Sequence, residues 1–168
     1  MPLSMYQASI PVLIRGFNNL SVILEKAAAY AEAKKIDPSV LINARLAPDM
    51  YPLSTQIQIA SDVAKGCAAR LAGIDVPSYA DTEVSFPELQ ERIARTVAFL
   101  QSVSAGQIDG SEEKPITIKM AQKDIEFKGQ SYLLSFVIPN FYFHMSMAYA
   151  ILRHNGLEIG KRDFVGSR

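Results

Sequence analysis

Four long stretches of this chain repeat apolar residues at steps of three and four, a period that buries its apolar side only as a helix. The first runs from Met5 to Lys34, where Ile10, Leu13, Ile14, Phe17, Leu20, Leu24, Ala27, Ala28 and Ala31 trace one face. Ser4 with Gln7 reads as a capping box at its start. Pro11 lies too deep for a first turn, so the spacing predicts a kink or a late start there. The second stretch, Leu53 to Leu71, carries Leu53, Ile57, Ala60, Ala64, Cys67, Ala68 and Leu71 on one side, with Gly73 as C-cap. The third opens on Ser85-Phe86-Pro87-Glu88, a second capping box, and runs to about Ser104. Leu89, Ile93, Val97 and Leu100 form its buried stripe, and Glu91, Arg92 and Arg95 are expected on the opposite, solvated side. The fourth begins near Gly129 to Ser131 and ends at Asn155-Gly156, with Pro139 expected to kink or break it. It is apolar nearly all round, as a central helix or an oligomer interface requires.

The connections have their own signals. Asp37-Pro38 starts a short helix over Ser39 to Arg45, and Pro48 and Pro52 bracket an irregular link. Ile74 to Val84 reads as loop. Between Lys114 and Lys128 the period falls to two: Ile116 and Ile118, then Ile125 and Phe127, alternate with polar residues, and Ala121-Gln122-Lys123-Asp124 is placed to turn between them. A two-stranded hairpin is marginal alone and must lean on the helices. Leu157 to Arg168 is expected to be a polar, irregular tail. The expected fold is therefore mainly all-α. It is one up-and-down four-helix bundle over residues 1–168, with antiparallel neighbours and a small β-hairpin before the last helix.

Composition narrows the function classes. A chain of 168 residues buries roughly 70% of its unfolded surface and needs no staple. Seventeen basic and seventeen acidic side chains cancel, and no Lys/Arg run exceeds two residues, so a nucleic-acid partner is not expected. The single cysteine, Cys67, allows no internal disulfide and no Cys-rich zinc site. No apolar run reaches the ~18 residues of a spanning helix, and the first residues lack a secretory pattern. A cytoplasmic location and no membrane partner are expected.

Few residues can carry chemistry. His154 lies near a helix C-terminus, where it complements the dipole. His144 sits mid-helix in the most apolar stretch, with Asn140 one turn earlier on the same face. Both residues can project into a bundle core, where ligand and metal sites are built. The alternative is a core histidine bonded to a neighbouring helix. Gln58 and Asp62 share a face of the second helix and can meet the same pocket or remain solvated. Arg45 and Asp49 read as a local salt bridge. Cys67, on an apolar face among small residues, reads as core filler.

The endings Asn140-Phe141-Tyr142-Phe143-His144 and Ala150-Ile151-Leu152-Arg153-His154-Asn155-Gly156 resemble those of the DinB/YfiT-like superfamily of four-helix bundles. Ala44 to Met50, Gln56-Ile57-Gln58 and Asn155 to Phe164 resemble an uncharacterised branch of it, a domain of unknown function. The resemblance implies a divalent metal held by three histidines, one from the second helix and two from an H-x-x-x-H turn of the last. His144 matches the second histidine of that turn and Asn140 stands in place of the first. Gln58, then Asp62, best match the ligand from the second helix. Amide oxygens suit calcium or magnesium and are poor ligands for transition metals. The ordinary metal site is therefore expected to be lost and no cofactor is expected; a divalent metal, if held, would be on His144. The leading functional expectation is a small molecule bound in a core pocket with a degenerate metal site. The alternatives are a metal- or thiol-dependent transferase using His144 as ligand or general base, and an interaction protein acting as a homodimer.

Overall fold

The structure is a computed structural model that describes residues 2–119 and 123–166. Its elements are α1 (Met5–Lys34), α2 (Pro38–Ile42), α3 (Leu53–Ala72), α4 (Phe86–Ser102), α5 (Ala105–Ile108), β1 (Pro115–Ile118), β2 (Ile125–Lys128), α6 (Gly129–Ser131), a π-helical segment (Tyr132–Val137), α7 (Ile138–His154) and α8 (Lys161–Val165). The result is the expected, mainly helical bundle with a two-stranded antiparallel hairpin.

Helix starts follow the caps. Ser4 Oγ accepts from the Gln7 amide and Gln7 Oε1 accepts from the Ser4 amide, both at 3.2 Å, so α1 begins early and continues through Pro11. Glu88 likewise reaches back to the Val84 amide at 2.8 Å at the start of α4. Two helices stop sooner than the spacing predicts. At the end of α2 the Asn43 side chain bonds back to the Ser39 carbonyl. After α4, Ser104 and Gln107 cap the separate turn α5.

Contacts along the long helices fix their directions. Ser21 meets Gln90, and the Tyr6 amide meets Asp109, so α1 and α4 are antiparallel. Arg70 meets Tyr132 and Gln56 meets His144, so α3 and α7 are antiparallel too. Phe17 packs on Phe141 and Tyr30 reaches Asn155, which makes α1 and α7 parallel. Arg92 reaches the Gln58 carbonyl and Thr96 meets Ser61, which makes α3 and α4 parallel. The bundle thus runs up, down, down and up, and not alternately up and down with antiparallel neighbours throughout as the helix order predicted. Residues 74–84, expected as loop, are the crossover that climbs back along α3 to start α4.

Small residues let α3 approach its neighbours: Ala60, Ala64, Cys67 and Ala68 are fully buried. In the hairpin Pro115 pairs with Lys128 and Ile118 with Ile125. Ile116 and Ile118 are buried, so β1 lies against the helices, while Ile125 is exposed. The expected turn residues Ala121 and Gln122 lie outside the described residues.

Pro139 does not break the last helix. A proline ring crowds the carbonyl four residues back and offers no N–H. Here the chain meets it by opening to the wider π register over Tyr132–Val137, just ahead of the proline in α7. The tail is not irregular either. The Asp163 carboxylate caps the Gly160 amide, and α8 docks on α1 through Arg15 and Asn19, which hold the Val165 and Phe164 carbonyls. Phe164 closes the joint against Tyr142 and Tyr149. Among the described residues no helix is long and apolar enough to cross a membrane.

Candidate functional site

The antiparallel packing of α3 and α7 sets His144 opposite Gln56. His144 Nδ1 lies 2.7 Å from Gln56 Oε1, and Gln56 Nε2 donates to the Tyr51 carbonyl at 3.0 Å. A backbone carbonyl only accepts, so the Gln56 amide nitrogen must face Tyr51 and its oxygen must face the imidazole. That oxygen accepts too, so the proton sits on His144 Nδ1; the hydrogen-bond network assigns the tautomer. The lone pair is then on Nε2, which has no hydrogen bond among the described residues. His144 Nε2 is not among the sealed side-chain polar atoms that lack a partner in the described residues, of which Ser111 Oγ is the one found. The ring is otherwise buried, at 8% exposure.

Burial disfavours the imidazolium and lowers the His144 pKa below its ordinary 6.5. The unfolded chain therefore binds this proton more readily than the folded one. His144 contributes its full stability above the unfolded value, and that contribution falls as pH drops from about 6.5 toward the folded pKa. An NMR titration should place the His144 midpoint below 6.5; a midpoint above that value would refute the neutral ring.

Asn140 is half-buried one turn before His144, and its side chain makes no hydrogen bond among the described residues. Gln58 and Asp62 go elsewhere. Gln58 Nε2 donates to Glu83 Oε2 at 2.9 Å, and Asp62 Oδ1 pairs with Lys65 at 2.8 Å and Arg92 at 3.1 Å. Of the four expected pocket residues, His144 and Asn140 therefore share one place, while Gln58 and Asp62 belong to a second cluster between α3, α4 and the crossover.

That second cluster centres on Arg92, which is buried, not solvated as the helix pattern predicted. The crossover covers the side of α4 that would otherwise face water. Arg92 Nη1 donates to the Ala80 carbonyl and to Glu83 Oε1, and lies 2.9 Å from Asp81. Its Nε donates to Ser61 Oγ, which meets Thr96 Oγ1 at 3.0 Å. Burial pushes the Glu83 carboxyl up, but hydrogen bonds from Gln58 and Arg92 outweigh it and hold the group below the usual range.

Gln56 carried a signal the sequence reading passed over. It lies three residues after Leu53 and four before Ala60, inside the buried stripe of α3. Other expectations hold as packing. Cys67 is buried and its thiol is pushed up to about 12 by desolvation, far from a reactive thiolate. Arg45 pins its loop through the Met50 carbonyl instead of Asp49.

The donors around His144 do not fit the three-histidine metal of the DinB type. Gln56 Oε1 is already used by the Nδ1 proton, which leaves one imidazole nitrogen and the Asn140 amide. Among the described residues no three His, Cys, Asp or Glu side chains gather as a metal would need.

A crystal structure of a DinB family member protein from Shewanella denitrificans is similar to the whole chain. Its TM-score is 0.88 at 38% identity, covering 97% of this chain and 92% of that one. No curated protein matches the chain at a significant level. The family described as Domain of unknown function (DUF1993) matches residues 5–165, from the first residue of α1 to the last of α8. This chain therefore belongs to the DUF1993 family, within a DinB-like fold.

Proposed function

We propose that the protein binds a small molecule at the rim of the α3–α7 interface, with His144 Nε2 as the accepting group and the DinB-type metal site degenerate. The observation that carries this reading is the relay from Tyr51 through Gln56 to His144. It fixes the ring, uses the Nδ1 proton and leaves a basic nitrogen without a hydrogen bond among the described residues. A ligand with a weakly acidic O–H, S–H or N–H suits that nitrogen, and Asn140 offers a further donor and acceptor one turn away. The same nitrogen can act as a general base, so a thiol-dependent transferase is the catalytic form of this reading.

Thermal-shift screening against small acids, thiols and metabolites tests it, run beside His144→Ala. The expected result is at least one ligand whose stabilisation disappears in the variant. Ligands that stabilise both proteins equally would overturn the assignment to His144. Elemental analysis of protein purified without chelator tests the metal half: a stoichiometric transition metal lost in His144→Ala would overturn the degenerate site.

One observation favours a second reading, a homodimer. Leu134 in the π-helical segment and Phe143 on α7 are about half exposed, at 53% and 50%. Sedimentation of a monomer at micromolar concentration would remove that reading.

A further inference from the structure

Beyond the His144 site, the crossover has an unusual attachment. No residue from Gly73 to Val84 is buried, so the segment places no side chain in the core. Polar and cation–π contacts fasten it instead. Lys65 Nζ donates to the Pro77 carbonyl at 3.0 Å, and the Tyr79 ring lies between Lys65 Nζ at 3.7 Å and Arg95 Cζ at 4.3 Å. Arg92 holds the Ala80 carbonyl, Asp81 and Glu83, while Gln58 takes the second oxygen of Glu83.

Beneath the segment lie two cations whose side chains are almost wholly covered, Lys65 at 3% and Arg92 at 1% exposure. With the segment in place they meet Asp62, Asp81 and Glu83. With it lifted, Asp62 is the only one of these carboxylate partners that remains among the described residues, and the excess charge of the cluster changes from negative to positive. The bed would then be a cationic groove on two rigid helices, with the Gln58 amide beside it. A cleft of about 230 Å³ already opens at its edge, lined by Glu83, Arg92 and Arg95, with Glu88 and Glu91 on the α4 side.

We propose that residues 74–84 are a strap whose Asp81 and Glu83 fill, as an internal ligand, an anion site built by Arg92, Lys65 and Gln58. A small dicarboxylate takes their place when the strap lifts from the intact bundle. The ligand class follows from the occupant. The strap presents two carboxylates two residues apart to one nitrogen, Nη1, of the guanidinium, whose Nη2 serves Asp62 and the Gln58 carbonyl. A tethered group competes at an effective concentration of about millimolar, so a single weak carboxylate would not displace it, whereas a molecule carrying both charges can. The strap opens alone because a segment with no buried apolar contacts lies at the low end of local stability.

Chymotrypsin cleavage after Tyr79 in the full chain reads the opening, since that ring must leave its place between Lys65 and Arg95 before a protease can accept it. When reclosing is fast, the cleavage rate tracks the open population. The expected result is cleavage at Tyr79 with the bundle's circular dichroism intact. Glu83→Gln, which removes a charge-assisted bond while keeping the side chain's shape, should accelerate it about tenfold. Asp81→Asn, at an exposed position, should act in the same direction. Sodium malonate should accelerate cleavage of the wild-type chain beyond sodium chloride at matched ionic strength, with a reference peptide correcting for effects on the protease. Cleavage that appears only as the helices unfold, or is unchanged in both variants, would overturn the strap. Equal rates in malonate and chloride would overturn the anion site.

Discussion

Replacing Arg92 with methionine should lower the folding stability by about 3 kcal/mol, seen as a lower urea midpoint with an unchanged slope. Removing one member of a buried ion pair costs about 3–5 kcal/mol because its partner is left uncompensated. The lower end applies here. Asp62 and Asp81 are about half exposed, at 51% and 57%, and water can take over from the guanidinium. Glu83 is only 11% exposed with residues 74–84 in place, so water reaches it fully only at the cost of lifting that segment. Methionine fills most of the volume, so the loss reports the polar contacts and not a cavity. Lysine should restore little, since an ammonium cannot reach Ser61, Glu83 and the Ala80 carbonyl together. A loss below about 1 kcal/mol would mean that Arg92 behaves as a surface residue.

Gly129→Ala should be comparably severe, at about 3 kcal/mol, for a different reason. A Cβ there would lie 1.9 Å from the Ser111 carbonyl oxygen and 3.0 Å from its carbon. Both are backbone atoms, so no rotamer relieves the clash. The neighbouring bond from the Gln130 amide to the Glu112 carbonyl, 2.9 Å, holds the two segments at that spacing. Gly160 is the control: a Cβ there meets nothing within 4 Å, so Gly160→Ala should shift stability by no more than about 0.5 kcal/mol. Equal denaturation midpoints for the two variants would show that the close approach at Gly129 relaxes freely.

The residues that announced the fold were those whose partners lie within a turn or two of sequence. Ser4 with Gln7 and Ser85 with Glu88 begin α1 and α4 because capping is local, and the alternation around Ile116 and Ile125 gives the hairpin for the same reason. Arg92 was misplaced because its burial depends on a distant segment. The helical period marks which side of α4 faces the bundle, but nothing in it says that residues 74–84 return along the other side. Gln58 and Gln56 show the same limit at finer scale. Two amides two residues apart lie on different faces of α3, and only the position of α7 decides which one meets His144. The tail looked irregular because α8 rests on Arg15, Asn19 and Lys26 of α1, far away in sequence.

The wide turn over Tyr132–Val137 also fixes the angular phase of everything that follows it. Wound as ordinary α-helix, the same six residues would turn further by about one residue's worth, and each later side chain would arrive rotated by about 100° around the axis. The imidazole at position 144 would then swing away from the glutamine facing it, and the Phe141 ring would leave its place over Gly16, where a Cβ would already lie within 2.7 Å of it. The winding of those six residues is therefore as much a determinant of the rim chemistry as the identity of the residues that form it.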